Sequence, residues 1–201
     1  MKDIIIILAA LGFFAVTVGA AEAAASEDGP GTARGSEAKT AGTAGVPALE
    51  TVAYVDLQRY MGTWYEIAAF PQKFQKGCHC SKAEYEMTDK GYVRVVNSCR
   101  KDSAEGEIKV ARGKAFVVEG TGNAKLRVQF FWPFRGDYWI LELPEDYSHV
   151  VVGAPNRDYL WILARTPSID ESLYQQIIGR CEEMGFDATR LVRTDQGCAG
   201  R

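Results

Sequence analysis

Ala124-Lys125-Leu126-Arg127-Val128-Gln129-Phe130-Phe131 decides the fold class of this 201-residue chain. Leu126, Val128 and Phe130 alternate with Arg127 and Gln129, the two-residue period of a strand with one buried and one wetted face. Outward from it the pattern repeats as short runs rich in Val, Tyr, Phe and Trp, cut by Gly, Asn, Asp and Pro. Strands are predicted at 62–69, 80–88, 91–99, 112–119, 124–131, 137–143, 148–153 and 158–165. Asp89-Lys90-Gly91 and Gly120-Thr121-Gly122-Asn123 supply the positive φ that short connections need. Strand 158–165 is apolar on both faces, Leu160 and Ile162 against Trp161 and Leu163, so its outer side requires a cover. One helix, about 169–185, provides it: Ser168-Ile169-Asp170-Glu171 reads as a capping box, Gly185 as a stop, and Leu173, Ile177, Cys181 and Met184 as one apolar stripe. The expected fold is all-β, an eight-stranded antiparallel up-and-down barrel with one C-terminal α-helix packed outside.

The ends of the chain read differently. Lys2, an apolar run from Ile4 to Val18 and small residues ending in Ala21-Glu22-Ala23 have the order of a secretory signal, cut before Ala24. No cysteine follows the small residues, the first being Cys78, so a lipoprotein anchor is not expected. Residues 24–48 are poor in apolar side chains and read as a flexible low-complexity spacer, leaving 49–198 for the barrel domain. The expected location is periplasmic or secreted. With 23 basic and 26 acidic residues and a net charge of −3, the chain has no surplus for gripping nucleic acid.

Chemistry-bearing motifs are sparse. Cys78-His79-Cys80 has the wrong spacing for a zinc knuckle, and an oxidising compartment favours disulfides, so no metal or other cofactor is expected. With five cysteines, each choice of the odd one leaves three pairings of the rest; Cys181, on the apolar helix stripe, is expected to be the free thiol. The chain has no G-x-S-x-G, H-E-x-x-H, P-loop or G-x-G-x-x-G, and neither His79 nor His149 is expected to have a serine or free cysteine close by to serve as a nucleophile. Glu84 and Glu86 share a strand face opposite the apolar one and read as solvated outer wall. No enzymatic activity is expected. The face bearing Ala83, Tyr85 and Met87, then Val128 and Phe130, then Trp139 and Leu141, has the composition of a pocket for an elongated apolar ligand, or of a filled barrel interior.

Tyr60-Met61-Gly62-Thr63-Trp64-Tyr65-Glu66-Ile67-Ala68 resembles the opening motif of the lipocalins. Gly136-Asp137-Tyr138 resembles their second motif, and Arg157 to Arg165 their last strand and closing arginine. The resemblance covers about 49–198 and is nearest to the bacterial lipocalins and apolipoprotein D. It implies that Gly62, Trp64 and Arg165 close one end of the barrel, with the guanidinium across the indole. Likeness to apolipoprotein D implies a bridge from Cys80 to Cys198, leaving Cys78 to Cys99, although the hairpin near 88–91 equally allows Cys80 opposite Cys99. It also implies that Tyr85 and Trp139 line an open calyx, with Phe70 and Phe74 in a loop over the mouth, Phe131-Trp132-Pro133-Phe134 as a second rim, and Lys73 and Lys76 placed for an anionic head. The implied function is binding, storage or transport of small hydrophobic ligands such as fatty acids or lysophospholipids, with peripheral membrane contact. The rivals are a lipid-modifying enzyme on the same scaffold and a membrane-surface structural protein anchored through Trp132 and Phe134.

Overall fold

The computed structural model describes residues 48–198. The expected signal segment 1–23 and nearly all of the 24–48 spacer lie outside the described residues. A single-turn helix α1 (Leu57–Tyr60) precedes β1 (Gly62–Ala69), β2 (Cys78–Met87), β3 (Val93–Lys101), β4 (Ile108–Val117), β5 (Lys125–Phe131), β6 (Phe134–Glu142), β7 (His149–Gly153) and β8 (Leu160–Ala164). After them come α2 (Glu171–Glu183) and a short strand β9 (Val192–Arg193). Each strand pairs antiparallel with the next, and β1 pairs with both β8 and β2, so the eight-stranded sheet closes on itself. β9 adds to β1 where β2 has diverged, pairing Ala68 with Arg193 and Ala69 with Val192.

Alternation divides the apolar residues into two cores. The barrel interior holds Trp64, Tyr85, Val93, Val95, Leu126, Ile140, Val150, Val152 and Leu163. The second core lies between the barrel wall and α2, where Tyr174, Ile177 and Cys181 meet Ile67, Leu141, Val151, Leu160 and Ile162. Strand β8 therefore feeds both cores, which explains its apolar character on both faces. The turn glycines Gly91, Gly120 and Gly122 have φ of 74°, 75° and 59°, the left-handed region that suits glycine.

Two local expectations need correction. Ser168 does not cap α2: the N-cap is Asp170, without a side-chain cap bond, and the helix starts at Glu171. The Glu171 carboxylate, which a capping box turns back to the serine, is held instead by Arg193 (2.6 and 2.7 Å) and Gln175 (2.8 Å). Strand β4 begins at Ile108 rather than 112, because Arg100 and Ile108 already pair across the β3–β4 connection. Disulfides join Cys78 to Cys99 and Cys80 to Cys198, with Cα separations of 5.4 and 6.0 Å. Cys181 is free and buried, and burial pushes its thiol up to about 12. It is expected to react with a thiol reagent only at the rate of unfolding; mass-spectrometric mapping of rapid labelling at Cys181 in native protein would contradict this.

Candidate functional site

One end of the barrel is closed by the side chains of β1 and the residue after β8. Trp64 is fully buried and donates its indole N–H to the Tyr60 carbonyl at 2.8 Å. The Arg165 guanidinium lies 3.8 Å from the Trp64 ring centroid and donates to the Thr63 and Arg59 carbonyls at 2.9 and 2.6 Å. Cation–π contact and charge-assisted bonds thus hold one cation over the plug. Gly62 sits at φ 94°, which permits the chain to enter β1 beneath Arg165. Above the plug the hydroxyls of Tyr60 and Tyr138 are 2.7 Å apart, and those of Tyr138 and Tyr85 are 3.0 Å apart. Burial pushes all three phenols well above their ordinary range, so they remain neutral donors.

Tyr85, Val128 and Phe130 face this interior as expected from their spacing. Trp139 and Leu141 do not: they belong to the core under α2, while Tyr138 and Ile140 turn inward. The register fixes the facing, since Leu126 pairs with Tyr138 and Lys125 with Trp139. The Lys125 ammonium lies 3.8 Å from the Trp139 ring centroid. Phe70 is also on the outer side, stacked edgewise on Phe186 at 6.2 Å and covered by Arg190. A bulge between Glu66 and Ala68 reverses the alternation of β1 before it reaches Phe70. Met87 ends β2 at the plugged end and is 37% exposed, away from the upper interior. Phe74 stays half-buried in the 70–77 connection, within the 3₁₀ turn Lys73–Gln75. Phe131, Trp132 and Phe134 form an exposed hairpin tip at the open end.

Sequence reasoning missed the polar groups on the inner wall. Glu66 is two residues beyond Trp64 and pairs with the inward Leu163; it is buried at 8% exposure. Its carboxylate accepts from Gln75 Nε2 and Thr194 Oγ1, each at 2.6 Å. Burial pushes its pKa up, against the pull of the bonds from Thr194 and Gln75. Gln75 also accepts from the Trp161 indole at 3.3 Å, so one side chain fastens the 70–77 connection to the barrel. The C-terminal tail fills the gap between β1 and β2: Gln196 donates to the Glu66 and Ser81 carbonyls, both at 2.8 Å. The same period-2 count that places Trp64 inside places Glu66 there, and Asn97 after Val93 and Val95.

A second cluster lies outside the barrel. Contrary to expectation, a serine does stand beside a histidine: the Ser148 hydroxyl and His149 Nδ1 are 3.2 Å apart, and His149 Nε2 donates to Glu142 at 3.0 Å. Arg180 of α2 grips the same carboxylate with two bonds, 2.6 and 2.7 Å, making Glu142 a strut between wall and helix. Burial pushes the Glu142 carboxyl up, but His149 and Arg180 outweigh it and hold it at about 2. A carboxylate held below its unfolded value of 4.5 stabilises the fold fully above that pH, and the contribution is lost as pH falls towards 2. Allowing for screening of a partly exposed group, wild type is expected to lose about 2 kcal/mol across that window that Glu142→Gln does not lose. Urea unfolding at stepped pH checks this, and parallel curves for the two proteins would refute it. On the opposite wall, Glu84 and Glu86 point to solvent and pair with Lys82 and Arg94.

A closed eight-stranded barrel, plugged by Trp64 under Arg165 and flanked by α2, matches the lipocalin-like domain family over residues 55–196, and the chain belongs to the lipocalins. Lipocalins are in general non-enzymatic binders of small hydrophobic molecules. The chain is 38% identical over 157 residues to the outer membrane lipoprotein Blc of Vibrio cholerae, covering 77% of this chain and 91% of that one. It is 37% identical to temperature-induced lipocalin-1 of Arabidopsis thaliana (74% and 83% covered) and 31% identical to apolipoprotein D of Macaca fascicularis (83% and 88% covered). Among solved structures, insecticyanin from Manduca sexta superposes with a TM-score of 0.60 at 19% identity, covering 74% of this chain and 85% of that one, a likeness of fold.

Proposed function

We propose that this protein stores or carries a small hydrophobic ligand, a fatty acid or lysophospholipid, in the calyx of its barrel and releases it unaltered. The observation that carries the reading is the inner wall: Tyr85, Val128 and Phe130 present apolar surface with a few hydroxyls above a plug that closes one end. Such a wall suits an elongated chain inserted from the open end. Two disulfides support an oxidising, extracytoplasmic setting. Trp132, 80% exposed at the tip of the β5–β6 hairpin, supports peripheral contact with a lipid surface while ligand is exchanged. Among the described residues no helix is long and apolar enough to cross a membrane. Native mass spectrometry of protein purified from its own host, followed by lipid extraction, tests the proposal. A co-purified acyl lipid is the expected result; recovery of a chemically altered lipid after incubation would favour an enzyme instead.

A further inference from the structure

The upper inner wall carries polar groups that the protein does not fully use, and the one charged group among them is a carboxylate. Glu66 is more than nine-tenths buried and forms no ion pair with the described residues; its carboxylate receives only the two neutral donors of Gln75 and Thr194. A carboxylate has about four lone-pair sites, so acceptor capacity remains. On the adjoining β2, Ser81 is equally buried, and its hydroxyl oxygen has no hydrogen-bond partner. On β3, Asn97 aligns with the inward Ala83, and its buried carboxamide oxygen is also unpartnered. On the other side of Glu66, Trp161 packs against the barrel interior and is stacked on Tyr159 with 5.8 Å between ring centroids.

Unpartnered buried polar atoms are rare because each gives up its bonds to water without a replacement. Here two occur on one sector of one wall, beside a buried carboxylate without a cation. Oxygen acceptors, a negative charge and an aromatic face together complement a donor-rich cation. They oppose a second carboxylate brought into the same space.

Resting on the carrier reading, we propose that this sector receives the protonated amine of an amphiphilic ligand, with Glu66 as its counter-ion and Ser81 and Asn97 as further acceptors. The calyx therefore prefers long-chain amines to fatty acids of the same length. Both classes insert the same chain, and the preference arises at the polar group alone.

Isothermal titration of the disulfide-intact protein at neutral pH with hexadecylamine, palmitate and monopalmitoylglycerol, each below its aggregation threshold, tests this. The amine is expected to bind at least about tenfold tighter than palmitate and the neutral glyceride. Glu66→Gln keeps the shape and removes the charge; it is expected to cut the amine's advantage over palmitate to within about twofold. Ser81→Ala, a smaller change that does not depend on the tolerance of Glu66, is expected to weaken the amine selectively by a few-fold. An amine that binds wild type no tighter than palmitate, or an advantage that survives Glu66→Gln, overturns the assignment. Failure of all three probes to bind wild type would overturn the carrier reading itself.

Discussion

Replacing Cys80 and Cys198 together with alanine is expected to lower the free energy of unfolding by about 4–5 kcal/mol. The bridge spans 118 residues, nearly the whole barrel, so its loss releases far more disorder in the unfolded chain than loss of Cys78–Cys99, which spans 21. The folded state loses order as well. The tail between β9 and Cys198 supplies Thr194 and Gln196 to Glu66 and Ser81, and the Cys80 N–H donates to the Asp195 carbonyl at 2.6 Å. A domain whose net stability is of the usual 5–15 kcal/mol thus depends on a covalent tie between its last residues and β2. Urea unfolding of wild type and the double variant measures the difference. A change under about 1 kcal/mol would show that the non-covalent contacts hold the tail unaided.

Placing a charge on the inner wall is expected to weaken ligand binding by about tenfold to a hundredfold, because an acyl chain cannot solvate it. Val128→Asp does this at a half-buried interior position on β5. Trp139→Gln is the matched control, since Trp139 packs against the core under α2 and under the Lys125 ammonium. It is expected to lower the melting temperature and leave affinity unchanged within about twofold. Titration of one fatty acid into both variants and wild type separates the two. Equal losses in both, or loss only in Trp139→Gln, would mean that β6 presents its other face to ligand.

The contrast between Val128 and Trp139 also marks what the amino-acid pattern could and could not convey. Strand β5 alternates cleanly between apolar and polar, so its inward residues are legible. Tyr138, Trp139, Ile140 and Leu141 are apolar in succession because β6 is covered on both sides, and a continuous apolar run has no readable face. Phe70, which the family resemblance puts in the loop over the mouth, packs on the outer core instead, because a one-residue bulge within Glu66–Ala68 turns the end of β1 outward and nothing in Glu66-Ile67-Ala68 announces it. The single turn of α1 and the two residues of β9 are too short for periodicity and are set by tertiary contacts, such as the Asp56 carboxylate capping the Gln58 N–H at 2.9 Å. Alternation places Glu66, Ser81 and Asn97 inward as well, but a polar residue at an inward position lacks the apolar signature that marks a lining face. Ser148 and His149 are adjacent in the chain, and only the register of β7 against β6 shows that Glu142 completes their cluster.

A carrier role requires the barrel to open to an elongated apolar ligand. Burying a sixteen-carbon chain gains on the order of 10 kcal/mol gross at about 0.8 kcal/mol per methylene, and ordering the chain and losing translational freedom cost several kcal/mol in return. The net is an affinity near micromolar. Titration calorimetry with saturated fatty acids and lysophospholipids of about ten to eighteen carbons tests it most directly. Affinity that rises with each added methylene and levels off at the depth of the barrel is the predicted result. Absence of binding heat and of any shift in melting temperature across the whole series would mean that side chains fill the barrel and that it carries no lipid.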